Sequence, residues 1–159
     1  MKTHVLTLSN TFPATHPRHG EPTGFEHKVI AAVAGWDDHW LKIHTIRANY
    51  ELWRKRFEQI ERGEACLSIR QWMGKPYASK QREIARLTKG DGIGLQRLFF
   101  HPDRDGQHVW WNFNIDGRYD DVHKLAQNDG LSYEDWRAWF KDYDLSKPLA
   151  IIHFTKFRY

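Results

Sequence analysis

The sequence predicts an α+β fold: a curled antiparallel β-barrel with helices at its flanks. Three observations predict it. Consecutive strand-like segments separated by short turns run from Ala65 to Ile115, which is the pattern of an antiparallel sheet rather than of alternating βα units. Apolar residues at helical spacing are confined to stretches before and after that run. At 159 residues with 40% apolar content, the chain has the size of one domain with a core of its own.

Taken in order, Val5–Leu8 reads as a first strand. Thr11–Thr23 holds three prolines and Gly20 and is loop. His16 and His19 within it are three apart, but Pro17 and Gly20 argue against the helix that would let them share a metal, so both read as solvated loop histidines. Phe25–Ala34 is a helix with Phe25, Val29, Ala32 and Val33 on one face, stopped at Gly35. The segment from Trp36 to Trp40, with Asp38 and His39 in it, leads into residues 42–47. Asn49 caps a helix over Tyr50–Arg62 that ends at Gly63, with Leu52, Trp53, Phe57 and Ile60 as its buried stripe. Ala65–Gln71 is a strand, and Trp72–Lys80 a turn carrying two aromatics and two lysines. Aromatics interleaved with cations at a turn can stack bases or pack the turn onto the core.

Gln81–Thr88 reads as a strand, Lys89–Gly92 as a hairpin turn, and Ile93–Phe100 and His108–Ile115 as two further strands. The glycines of Lys89–Gly94 do not make a P-loop, since no Gly-Lys-Ser/Thr follows. In His108–Ile115, Val109, Trp111, Phe113 and Ile115 alternate with Trp110, Asn112 and Asn114, giving one buried and one part-polar face. Tyr119–Gln127 is helical and closes at Asn128-Asp129-Gly130. Ser132 caps the next helix with Asp135 three residues on, and Trp136, Trp139, Phe140 and Tyr143 form its apolar face. Leu149–Phe157 is the last strand.

The net charge of +4 is unevenly placed. Residues 42–89 hold 12 Lys or Arg against 5 Asp or Glu, half the basic residues in less than a third of the chain. Such a block points to a polyanion, nucleic acid first. Cys66 is the only cysteine, so no internal disulfide forms and a reducing compartment is expected. No apolar run approaches a membrane span, and the first residues are too few and too polar for a signal peptide. These features predict a cytoplasmic protein, a monomer by default, with no metal site, no cofactor and no membrane partner.

The chemistry concentrates in Lys42-Ile43-His44-Thr45-Ile46-Arg47. As a plain strand it would put Ile43 and Ile46 on opposite faces, so a loop becoming a strand near Thr45 fits better and lets Lys42 curl back toward the Thr45 hydroxyl. A lysine kept neutral by burial can activate such a hydroxyl. The alternative is an edge strand with solvated charges.

Several segments together resemble the ASCH domain family of the PUA-like superfamily. Lys42–Arg47 is similar to its Lys-x-x-Thr-Ile-Arg signature. Ala126–Ser132, with Trp136 and Phe140, resembles its acidic helix–helix junction, and Ile151-Ile152-His153-Phe154 its closing strand. The resemblance runs from about Leu41 to Tyr159. It implies a PUA-like domain over residues 41–159, with residues 1–40 an extension packed on the same globular unit, as in a bacterial and phage-type subgroup.

The resemblance further implies a small barrel with a cleft for RNA or nucleosides. Some members are amidohydrolases that deacetylate N4-acetylcytidine with a lysine, a threonine three residues later and a distant acidic residue. Lys42 and Thr45 match the first two. Asp129 falls where those enzymes carry a glutamate, and its shorter side chain is expected to fall short by about an ångström or more, enough to cost roughly a hundredfold in rate.

Two functions follow. The first, and the leading one, is an RNA- or nucleotide-binding module in which Lys42, Arg47, Arg70, Lys75 and Lys80 contact phosphates in a basic cleft that includes His44, and Trp72 or Tyr77 stacks a base. The second is an amidohydrolase in which Lys42 deprotonates Thr45, Asp129 orients the lysine or protonates the leaving amine, and Arg47 stabilises the oxyanion. A nuclease with His44 as acid or base lacks a second histidine in the motif.

Overall fold

The computed structural model describes residues 1–37 and 40–159; Asp38 and His39, in the segment leading to the central stretch, lie outside the described residues. Among the described residues, seven strands form two sheets accompanied by four α-helices. In the first sheet β3 (Ala65–Trp72) is central, between β1 (Lys2–Leu8) and β4 (Gln81–Leu87). The second has the order β2 (His44–Arg47), β7 (Leu149–His153), β5 (Gly94–Pro102), β6 (His108–Ile115), antiparallel throughout.

The chain is α+β, but the sheets are not closed into a barrel by hydrogen-bonded strands. Two local causes are visible. The Asp91 carboxylate accepts from the Thr88 backbone N–H at 2.7 Å and closes a 3-10 turn over Lys89–Asp91. The expected hairpin is therefore absent: β4 and β5 do not pair and belong to different sheets. In addition β1 runs parallel to β3, in register from Lys2 opposite Ala65 to Leu8 opposite Gln71. A parallel neighbour needs a crossover, here the whole segment from α1 (Phe25–Ala34) through β2 and α2 (Tyr50–Glu61).

Helix ends follow local chemistry. Gly35 closes α1 in the left-handed conformation at φ 71°, its N–H reaching the Ala31 and Ala32 carbonyls. Asn49 caps α2, its side chain accepting from Leu52 N–H, and Ser132 caps α4 (Tyr133–Phe140) by accepting from Asp135 N–H. α3 (Val122–Asn128) is shorter than the sequence suggests because Asp121 caps it. The buried stripes are rotated from expectation: Ala31 is buried on α1 while Val33 is exposed, and Leu52 of α2 faces solvent while Trp53, Phe57 and Ile60 are buried.

The core is one cluster reaching across both sheets, from Leu6, Leu67 and Ile69 to Leu98, Ile115 and Ile151. α2 joins them, touching β3 of one sheet and β5 and β7 of the other. Burying a side chain such as Phe57 in that position stabilises the fold by about 1.5–3 kcal/mol. In β6 the predicted alternation breaks. Trp110 packs on Phe100 and Trp136, with centroids 5.8 and 5.3 Å away, whereas Trp111 is 69% exposed. The cause is a register shift between Phe100 and Pro102: β5 advances two residues there while β6 advances five, from Phe113 to His108, and an odd surplus of residues in β6 reverses which side chains face inward.

Candidate functional site

Lys42 stands just before β2, where the chain is tied on both sides. Ile43 N–H donates to Asn128 O at 2.9 Å, Phe154 N–H donates to Ile43 O at 2.9 Å, and Lys42 itself bridges to Asp129. Asp129 caps the C-terminal end of α3, its own N–H turned back to the Leu125 and Ala126 carbonyls. Gly130 follows at φ 79°, and a Cβ there would lie 3.0 Å from Lys42 Cβ. Glycine is therefore what lets the junction close on the lysine.

Lys42 and Asp129 are each only 2% exposed. Lys42 Nζ donates to Asp129 Oδ1 at 2.6 Å and to Asp129 O at 2.7 Å, and lies 4.1 Å from the centre of the Phe25 ring. The shorter aspartate thus reaches the lysine, because the backbone bridge draws the two residues together. Burial is the main cause that lowers the Lys42 pKa below its ordinary value, opposed by the Asp129 carboxylate. Burial likewise raises that of Asp129, opposed by Lys42. Both partners are driven toward neutrality, which is the condition for a lysine to act as a base.

The pair forms the floor of a cavity of 180 Å³ whose lining includes Thr45, Arg47, Leu131, Trp139 and Tyr143. Thr45 is buried in β2, and among the described residues its hydroxyl makes no hydrogen bond; the Lys42 amine is held by Asp129 instead. Arg47 is half-buried and donates from Nη2 to Thr7 O at 2.7 Å. Its Nε is buried with no partner, and among the described residues it has no ion pair. Burial depresses its pKa. A guanidinium with five N–H donors and one hydrogen bond is equipped to meet an oxygen in this cavity.

The other residues expected to bind ligand divide. His44 is completely buried on the far side of β2, where Nε2 meets Tyr159 Oη at 2.6 Å. Asn128 Nδ2 donates to that hydroxyl at 3.0 Å, and the His153 ring lies 5.4 Å from His44. Burial holds His44 well below its ordinary pKa and His153 at about 3. His44 is thus held neutral; its Nδ1 is buried without a hydrogen-bond partner, 3.9 Å from Asp129 Oδ1, and it does not line the Lys42 cavity. Arg70 is drawn along its own strand to Ser68 Oγ at 2.9 Å and does not line the cavities. Trp72 and Tyr77 line a second, larger cavity. Lys75 and Lys80 are exposed on the turn beside it without lining it.

Sequence reasoning missed Phe25, Trp139 and Tyr143, which reach the site from α1 and α4 and the residues after it. Their apolar periodicity was visible, but the cavity they wall was not. His16 is also a correction. It is buried, with Nδ1 accepting from Arg18 N–H and Nε2 donating to Asp135 O, both at 3.0 Å, and its ring 4.5 Å from that of Phe12.

Of the basic block, Arg54 pairs with Glu51 and Glu58, Arg62 with Glu64, Arg82 with Glu26 and Arg86 with Glu83. Four of these five carboxylates already stand in the block's balance, so only Glu26 lowers its positive excess further. Among the described residues no three metal-ligating side chains cluster, and no helix is long and apolar enough to cross a membrane. No family model, curated protein or solved structure matches the chain.

Proposed function

We propose that the chain is an amidohydrolase for small N-acylated nucleosides, with N4-acetylcytidine as the first substrate to test, on a PUA-like fold of the ASCH type. The observation that carries this is the buried Lys42–Asp129 pair on the floor of a cavity that also takes Thr45 and Arg47. A lysine and an aspartate buried together and driven toward neutrality stabilise a fold poorly, since desolvation offsets their attraction. Groups perturbed in this way inside a cleft are the mark of a working site.

The chemistry follows from the groups present. The Lys42 amine, once its proton has passed to Asp129 and it turns to Thr45, takes the hydroxyl proton as Thr45 Oγ1 attacks the amide carbonyl. The tetrahedral oxyanion accepts hydrogen bonds from Arg47. Collapse breaks the C–N bond, and the Lys42 ammonium returns the proton to the leaving amine. Water then attacks the Thr45 ester, giving its proton to Lys42, and releases the carboxylic acid with the Thr45 hydroxyl restored. Asp129 holds the lysine in place between the two half-reactions. The PUA-like reading of the fold is supported by the two sheets sharing one core across α2. A reducing, cytoplasmic setting suits the buried free thiol of Cys66.

Incubation with N4-acetylcytidine tests the proposal by following cytidine release. Turnover by the wild type, abolished in Thr45→Ala and retained in part by Thr45→Ser, supports it. Equal rates in wild type and Thr45→Ala would remove Thr45 from the reaction. A nucleic-acid-binding role has one observation in its favour: the Trp72 and Tyr77 rings, 5.2 Å apart, share a turn with the exposed Lys75 and Lys80. Binding of a short RNA that weakens steeply with salt would support it; affinity unchanged by salt would end it.

A further inference from the structure

The second cavity, of 570 Å³, adjoins the Lys42 cavity. The two share Leu8, Ser9, Pro13 and Arg47 as a common wall, which places Arg47 at the border of both. The outer wall is Trp72 at the end of β3 and the turn residues Gly74, Pro76 and Tyr77. Trp53 of α2 also lines the cavity.

Tyr77 is the unusual member. It is 91% exposed, yet its backbone sits at φ 61°, a left-handed conformation that costs free energy for a bulky side chain. The turn holds it there. Met73 N–H donates to Lys80 O at 2.8 Å, Gly74 N–H to Ser79 Oγ at 3.1 Å, and Ser79 Oγ to Lys75 O at 2.8 Å. The Tyr77 ring is tilted 50° to that of Trp72. An aromatic ring so exposed adds little to the core, and strain maintained without a packing return is a feature of ligand clamps.

We propose that this outer cavity is the leaving-group subsite: a planar heteroaromatic ring of nucleobase size rests against Tyr77 and Trp72. The amide carbonyl then lies at Arg47, and the acyl group enters the smaller cavity over Lys42, Asp129 and Thr45. The order of the two cavities rests on the amidohydrolase reading; the ring subsite itself does not. Tyr77 is thereby a specificity-determining residue, and the geometry favours aromatic over aliphatic amines as leaving groups.

Calorimetry with cytidine as the probe tests the subsite without turnover. Tyr77→Ala weakens cytidine binding about tenfold, the scale of one lost base–aromatic stack, and Tyr77→Phe preserves it. Both sit on an exposed turn, so circular dichroism confirms that each variant is folded. In turnover assays the Tyr77→Ala loss is carried by KM, and N-ethylacetamide, an acetamide without a ring, is a far poorer substrate than N4-acetylcytidine. Cytidine binding that depends on Tyr77, with no hydrolysis of N4-acetylcytidine, keeps the subsite and overturns the amidohydrolase reading. Hydrolysis with KM indifferent to Tyr77→Ala keeps the amidohydrolase and overturns the subsite. Absence of cytidine binding by the wild type overturns it as well.

Discussion

Asp129→Asn isolates the buried pair. The substitution keeps the volume and an oxygen beside Lys42 but removes the charge. Lys42 then has two courses in the folded protein. If it keeps its proton it is an uncompensated buried cation, a loss of about 3–5 kcal/mol. If it releases the proton, the cost relative to the unfolded chain is set by the distance from its ordinary pKa of 10.5, about 5 kcal/mol at pH 7. The cheaper course wins, so the variant is destabilised by about 3–5 kcal/mol at pH 7.

The pH dependence identifies the group responsible. With the Lys42 pKa depressed in the folded variant, the unfolded chain binds a proton that the folded chain lacks. Stability therefore rises with pH between the depressed value and 10.5, by about 1.4 kcal/mol per unit. In the wild type Lys42 and Asp129 together hold one proton whether folded or unfolded, so they contribute no slope. The deficit shrinks to about 2 kcal/mol by pH 9. Urea unfolding of both proteins at pH 7, 8 and 9, followed by tryptophan fluorescence, reads it directly. A deficit below about 1 kcal/mol at pH 7, or one equal at all three values, refutes the buried-pair argument.

Other consequences follow from the same geometry. Gly130→Ala places a Cβ 3.0 Å from Lys42 Cβ at a φ of 79°; it destabilises by about 2 kcal/mol and lowers any turnover more than this alone explains, because Lys42 is displaced. Denaturation and rate measurements on the one variant separate the two effects. Tyr159→Phe removes the partner of both His44 and Asn128 and costs about 1–3 kcal/mol by urea midpoint. His153, held at about pKa 3 by burial, stays neutral when folded but takes a proton when unfolded below its ordinary 6.5. Stability is lost as pH falls across that window, by about 1.4 kcal/mol per unit. His153→Gln reduces the slope between pH 6 and 4 by about one proton, measured as the pH dependence of the urea midpoint.

Local chemistry was readable in the sequence. Gly35, Asn49 and Ser132 mark helix ends because the atoms that cap a helix belong to residues within a turn of it. What spacing cannot report is pairing at a distance. The parallel match of β1 with β3 depends on a crossover of more than fifty residues. The passage from β4 to β5 depends on whether one carboxylate, Asp91, closes a 3-10 turn or leaves a hairpin. A register shift within β6 exchanges Trp110 and Trp111 between core and solvent.

At the site, the spacing of Lys42 and Thr45 and the Asp129-Gly130 junction are legible in the sequence, and the structure brings the three residues to one cavity. The alternation of β2 carries His44 out of the cavity lining, against Tyr159. The Arg70 guanidinium finds Ser68 on its own strand, a partner that spacing does not reveal. Ser9 and Pro13, which wall both cavities, lie in a stretch with no periodicity to read.

The most direct test is a crystal structure of Thr45→Ala grown with N4-acetylcytidine. The expected result is the acetyl group in the cavity above Lys42 and Asp129, the amide oxygen within hydrogen-bond reach of Arg47, and the base against Tyr77 and Trp72. A nucleoside bound elsewhere, or bound with its acetyl group turned away from Lys42, would contradict it.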